Sequence, residues 1–345
     1  MRKLGMLSIV VLLAGCEAGS SGALTTGVAN GTVGEWMSAS PMPHGRANHC
    51  AAVIGDRVLV AGGNHKPEGA ADFVTSDEVH VTTIHEDGTL GGWTLAGTLP
   101  SAVSACTATA DEKRLYIMGG LWNSAGDGAK VWSAQLSDSG ELSTFAAIGE
   151  LPADATVLSA EAFTTASDLL LFDSEVPEEG DETFLLRAPL NATLGEWDRQ
   201  LLVPRFLGYP QLAFDGGHAI VTGGYLGADQ DNAVVSDVVV ATLGDETAVA
   251  GKAMPGAMQS GRAIAVDGHL FVFGGKRALF GAGMDDTYSA PLDGDGMPVD
   301  WSQQRPLPEG RTNFVAVLAG DHVLVLGGGF DGAGLDSVFS ARIRW

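Results

Sequence analysis

Cysteine is scarce in this chain: three in 345 residues, at positions 16, 50 and 106. A small scaffold stapled by disulfides needs more, so that class is excluded and packing must carry the fold. Aromatic residues are few, at 7%. Basic charge is short as well, with 19 lysines and arginines against 42 acids. A nucleic-acid binder needs a basic face to neutralise phosphates, and this balance argues against one. Long apolar runs are missing too. The run Leu4–Leu13 is ten residues, broken by Gly5 and Ser8, where a membrane span needs about 20. Glycine is plentiful, with 48 residues, roughly twice the usual share. The hydrophobic content of 45% is too high for a disordered chain.

The short apolar run follows Arg2 and Lys3 and ends in Leu13-Ala14-Gly15-Cys16. A basic start, a short apolar stretch and a small-residue end read as an export signal, and Leu-Ala-Gly-Cys resembles the bacterial lipobox. That resemblance implies a signal peptide over residues 1–15, cut before Cys16, with lipid carried on Cys16. Residues 16–29 then form the lipidated cysteine and a flexible tether rich in Gly, Ser, Ala and Thr. Losing Arg2 and Lys3 reduces the 19 bases to 17 against 42 acids. Glu17 stands where an aspartate is associated with inner-membrane retention in this class, which favours the outer membrane.

From residue 30 the chain repeats itself. GEWMSASPMP, GGWTLAGTLP and GEWDRQLLVP align without gaps and place Trp36, Trp93 and Trp197 seven residues before Pro43, Pro100 and Pro204. Trp301 and Pro308 keep the offset, Phe145 and Pro152 keep it with another aromatic, and Ala248 and Pro255 keep it without one. Successive prolines lie 57, 52, 52, 51 and 53 residues apart. Nineteen residues after five of the prolines comes a Gly-Gly pair: Gly62-Gly63, Gly119-Gly120, Gly223-Gly224, Gly274-Gly275 and Gly327-Gly328. The third copy has Phe172-Asp173 instead, 20 residues on.

Each unit reads as four short strands separated by turn residues. Four strands about every 50 residues, with Gly-Gly closing the second, resemble the kelch β-propeller family. The resemblance covers residues 30–345 and implies an all-β, six-bladed propeller. The segment Asn30–Trp36 matches the fourth-strand lead Asp87–Trp93, while Asp336–Ile343 matches third-strand segments. The N-terminal strand is therefore expected to complete the last blade and hide its edge.

Repeat position separates structural residues from functional candidates. His218, His269 and His322 each lie five residues before a Gly-Gly, and Arg57 and Arg114 share that position. Blade spacing of about 10 Å keeps such histidines from converging on a metal, whose ligands sit about 2.0–2.1 Å away; no metal or other cofactor is expected. The four tryptophans read as blade-packing residues. Cys50 and Cys106 fall on inner strands of neighbouring blades, one register apart, so they face each other across the interface or stay as two buried thiols. A disulfide is permitted outside the cytoplasm.

The kelch resemblance implies that inter-blade segments and the loops joining strands two and three emerge on one face around the central channel, which makes that face the candidate ligand surface. Those segments carry Arg46, Asn48, His49, Arg205, Tyr209, Arg262, Arg311 and Asn313. Neighbouring loops add Asn64, His65, Lys66, Trp122, Tyr225 and Lys276. Arginine suits carboxylate or phosphate because its planar fork donates paired hydrogen bonds. Glu161 occupies an inner-strand position held elsewhere by Ala51, Ala108, Leu212, Ala263 and Ala316, and is a candidate for acid–base work. The leading expectation is a monomeric, lipid-anchored binding module showing its loops to an envelope protein or glycan, touching the membrane only through its lipid. The alternative is a periplasmic enzyme acting on a small acidic sugar, resembling the sialic-acid mutarotases, with Glu161 and Arg205 or Arg262 as its groups.

Overall fold

The computed structural model describes residues 31–345 apart from 68–71, 125, 156, 158–159, 175–181, 228–232, 246–247 and 331–332. The expected signal peptide, Cys16 and tether lie outside the described residues. Everything described is strand, turn or irregular chain, with no helix among those residues.

The strands form six antiparallel sheets arranged as blades. Blade 1 runs from the inner strand Cys50–Ile54 through Arg57–Ala61 and Glu78–Thr83 to the outer strand Thr94–Thr98. Blades 2 to 5 repeat this order, with inner strands Thr107–Ala110, Ala162–Thr164, Gln211–Phe214 and Arg262–Val266. Blade 6 begins at Val315–Ala319. Its third strand, Val338–Arg344, pairs with Thr32–Val33 and Met37–Ala39, in registers that include Val33↔Ile343 and Ser38↔Phe339. The first described residues therefore close the ring.

No single core fills the molecule. Six apolar clusters lie between neighbouring blades, one at each junction. Strand periodicity explains this division. Successive side chains point to opposite faces, so Leu59 faces blade 2 while Val58 and Val60 face blade 6. Second strands are buried on both faces, which is why they read as unbroken apolar runs such as Val-Leu-Val and Leu-Leu-Leu.

The Gly-Gly pairs tie the blades together. In Gly62-Gly63 the φ angles are +63° and +85°, and the other four pairs repeat that pattern. The first N–H turns back to its own third strand (Gly62 to the Glu78 carbonyl, 3.2 Å), and the second reaches the next blade (Gly63 to Val103, 2.8 Å). Two consecutive left-handed residues are costly for any residue with a Cβ.

The repeated histidines have an inter-blade task as well. A Cβ placed on Gly88, Gly296 or Gly31 would meet the ring of His322, His218 or His269 at 2.3–2.5 Å. Each ring thus packs on a turn glycine of the following blade. The tryptophans act similarly on the outer rim. The indole N–H of Trp36, Trp93, Trp197 and Trp301 donates to the carbonyls of Arg305, Ser40, Glu150 and Lys252, at 3.4, 3.1, 2.7 and 3.1 Å.

Candidate functional site

Five residues after five of the six repeat prolines the chain takes a left-handed turn; Val157, in blade 3, does not. Asn48, Ala105, Tyr209, Ser260 and Asn313 all have φ between +48° and +55°. The turn aims their backbones at one another around the channel mouth. Ala105 N–H donates to Asn48 (2.7 Å), Asn48 to Asn313 (3.2 Å) and Ser260 to Tyr209 (2.9 Å), while the Thr312 hydroxyl donates to Ser260 (3.4 Å). A collar from blade 4 round to blade 2 results.

On this collar, over blades 5, 6 and 1, sits an open cleft of about 340 Å³. Its floor is Ala47, Asn48, Thr312 and Asn313, and its walls are Asn64, Phe73, Lys276, Leu279 and Phe280. Phe280 is 88% exposed and Phe73 is nearly half exposed. Burial pulls the Lys276 ammonium below its ordinary pKa. Apolar walls with a few convergent polar groups are the usual makeup of a ligand pocket. Of the sequence candidates, the structure brings Asn48 and Asn313 here, with Asn64 and Lys276 from the neighbouring loops. Phe73, Leu279 and Phe280 escaped sequence reasoning. Their only signal was large apolar side chains in loops of a chain poor in aromatics.

The other candidates go elsewhere, and the arginines do not assemble as an anion site. Arg46 is 1% exposed. Its Nη1 donates to the carbonyls of Gly62 (2.9 Å) and Glu78 (3.3 Å), and its Nη2 to Glu78 Oε2 (3.1 Å) and His80 Nδ1 (3.0 Å). Guanidinium only donates, so His80 Nδ1 is an acceptor and the ring is neutral. Arg311, wholly buried, repeats the arrangement: it donates to Gly327 O (3.0 Å), Ser337 Oγ (3.2 Å) and Glu309 Oε2 (3.2 Å), and lies 4.6 Å over the Phe339 ring. Both arginines brace the Gly-Gly turn of their repeat with their Nη groups, and neither lines the cleft. Arg205 pairs with Asp237 on blade 4.

Beneath the collar, the channel holds His49, Glu161 and Arg262 beside the Cys50–Cys106 disulfide, whose Cα atoms are 5.5 Å apart. Arg262 Nε lies 2.9 Å from Glu161 Oε1, yet its N–H is not aimed at that oxygen and makes no hydrogen bond. The contact is an ion pair without the added hydrogen bond. Glu161 keeps 23% of its side chain open to the channel, and burial raises its pKa against the opposing pull of Arg262. Both ring nitrogens of His49 are buried without partners. Burial, then the charges of Arg46 and Arg262, lower its pKa to about 3. The space these groups line is about 10 Å³, room for roughly one water molecule.

Fold and site together define the class: a six-bladed β-propeller with a loop-face cleft and, on its inner strands, a small space lined by His49, Glu161 and Arg262. No family model matches the sequence, and no curated protein matches it. Among solved structures, that of YjhT is similar, with a TM-score of 0.63 over 88% of this chain and 95% of that chain at 12% identity. At that identity the likeness is one of fold.

Proposed function

We propose that this protein is a non-catalytic binding propeller, exported and held on the bacterial envelope by lipid on Cys16, that takes a glycan at its loop-face cleft. The cleft itself carries the reading. Exposed Phe280 offers a flat apolar face, Phe73 a second ring with Lys66 Nζ 5.8 Å over it, the amides of Asn48, Asn64 and Asn313 donate and accept hydrogen bonds, and Lys276 adds a further cation. That mixture suits a sugar, whose ring has apolar faces and a hydroxyl rim. The acidic-sugar enzyme is the weaker reading. Glu161 and Arg262 are adjacent, but a space of about 10 Å³ admits water rather than a sugar ring.

Thermal unfolding of the purified protein against neutral sugars, acidic sugars and inorganic phosphate tests the proposal, because a ligand of the native state raises the melting temperature by mass action. A sugar should give a shift that Phe280→Ala removes, that Lys276→Ala reduces if the sugar is acidic, and that Glu161→Gln leaves in place. Absence of a shift with every sugar would reject the cleft as a glycan site. For the anchor, Cys16→Ser should move the protein from the membrane fraction to the soluble one.

A further inference from the structure

Resting on the glycan reading of the cleft, we infer that Tyr209 and Tyr225 on blade 4 form a second sugar subsite, so that the ligand is an oligosaccharide running along the collar.

Repeat position makes the case. In five of the six blades the fifth residue after the proline adopts a left-handed backbone, and outside blade 4 the chain places Asn48 and Asn313, Ala105 and Ser260 there. Asparagine tolerates that conformation well, whereas a bulky aromatic does so poorly. Blade 4 nonetheless carries Tyr209, at φ +48°. Its side chain does not fill the core, since the residue is 40% exposed. Instead its ring stacks on Tyr225, with centroids 6.0 Å apart and planes 22° from parallel, and Phe206 meets the far ring edge-on at 5.6 Å. Room for this stack is built into the backbone: a Cβ on Gly208 would strike the Tyr225 ring at 2.0 Å. A strained tyrosine seated on a supporting ring and left open to solvent has no role in holding the repeat, because four other blades make the same turn without it.

The platform is continuous with the cleft. Ser260 N–H donates to the Tyr209 carbonyl, and the adjacent Gln259 exchanges two backbone hydrogen bonds with Lys276, at 3.0 and 2.9 Å. Lys276 is a wall of the cleft. Two such backbone steps span about 10 Å, within reach of a short sugar chain. Exposed aromatic faces at both ends, with amides and a lysine between, fit successive sugar rings better than a single one.

The test is calorimetric titration of the full chain with neutral N-acetylated and acidic uronic oligosaccharides, each from monosaccharide to hexasaccharide. Wild type should bind longer members more tightly. Tyr209→Asn places a residue that blades 1 and 6 already use, so the melting temperature should hold or rise. The same variant should weaken oligosaccharide binding about three- to tenfold, the usual worth of one aromatic stack, and leave the monosaccharide unaffected. Tyr209→Phe should keep wild-type affinity, and Phe280→Ala should weaken every member of the series. Length-independent binding, or unchanged oligosaccharide affinity in Tyr209→Asn, would overturn the second subsite while leaving the cleft intact. If wild type binds none of the series, the cleft reading itself fails, and the subsite with it.

Discussion

Buried imidazole and guanidinium groups set the residue-scale behaviour of this protein. His49 is held neutral in the channel wall, with a pKa of about 3 in the folded state against about 6.5 when unfolded. The unfolded chain therefore binds more protons between those values, and stability is greatest above about pH 6.5 and declines as pH falls toward 3. Between pH 7 and pH 5 the His49 contribution should drop by about 2 kcal/mol. Denaturant unfolding at the two pH values checks this, with His49→Gln as the control that lacks the loss. His80 and His65, also lowered chiefly by burial, push the same way and remain in both proteins. Glu161, raised by burial, acts with the opposite sign, favouring the fold below its unfolded pKa and losing that advantage as pH rises through the folded one. If the variant and the parent lose equal stability on acidification, His49 is not the buried neutral group described. Sequence reasoning recognised the odd position of Glu161 and offered Arg205 or Arg262 beside it; the structure chooses Arg262. That pairing joins blades 3 and 5, which no local spacing relates.

At the scale of strands and blades, cohesion comes from the junctions. Apolar wedges, Gly-Gly N–H groups, stacked histidines and tryptophan N–H bonds all act between neighbours. The one covalent link, Cys50–Cys106, joins the inner strands of blades 1 and 2 across a separation of 56 residues. Closing a loop of that length restricts the unfolded chain by about 4 kcal/mol in the chain-entropy account. Replacing both cysteines by alanine should lower unfolding free energy by about that amount, and reducing agent should reproduce the loss in the parent but not in the variant. An unchanged denaturation midpoint in the double variant would show that the link does not hold the junction. Much of this level was legible beforehand. Position within the repeat marks the histidines and tryptophans as structural. Arg46 and Arg311 also share one position, three residues after their prolines, which suits a residue that holds the repeat together, while their paired donors equally suit an anionic ligand; burial decides for the first. Burial of the Arg46 guanidinium depends on Glu78, brought in by the third strand of blade 1, and that of Arg311 on Ser337, just ahead of the third strand of blade 6, together with Glu309, two residues before the arginine.

At the scale of the whole molecule, the ring is closed by strand pairing rather than by a bond. Thr32–Val33 and Met37–Ala39 cover the third strand of blade 6, and Val33 belongs to the wedge between blades 5 and 6. Removing residues 31–40 should uncover the edge of Val338–Arg344, lower the melting temperature and promote association through that edge. Size-exclusion chromatography with a thermal melt measures both. A truncated chain that elutes as the parent does, with an unchanged melting temperature, would mean that the pairing is dispensable. Closure also positions the candidate site, because the cleft takes its floor from blade 6 and its walls from blades 1 and 5.

The propeller, its six units and its closing strand follow from the sequence alone. Alternating burial and positive-φ turns leave periodic marks that repeat about every 53 residues, and local rules suffice to read them. The site does not follow in that way. Whether an arginine faces a ligand or a carbonyl, whether Phe280 and Phe73 line one cleft, and how little room surrounds Glu161 depend on groups far apart in the chain. Those outcomes are decided by how six wedges pack around one axis, and packing distances between blades leave no periodic trace in the order of residues.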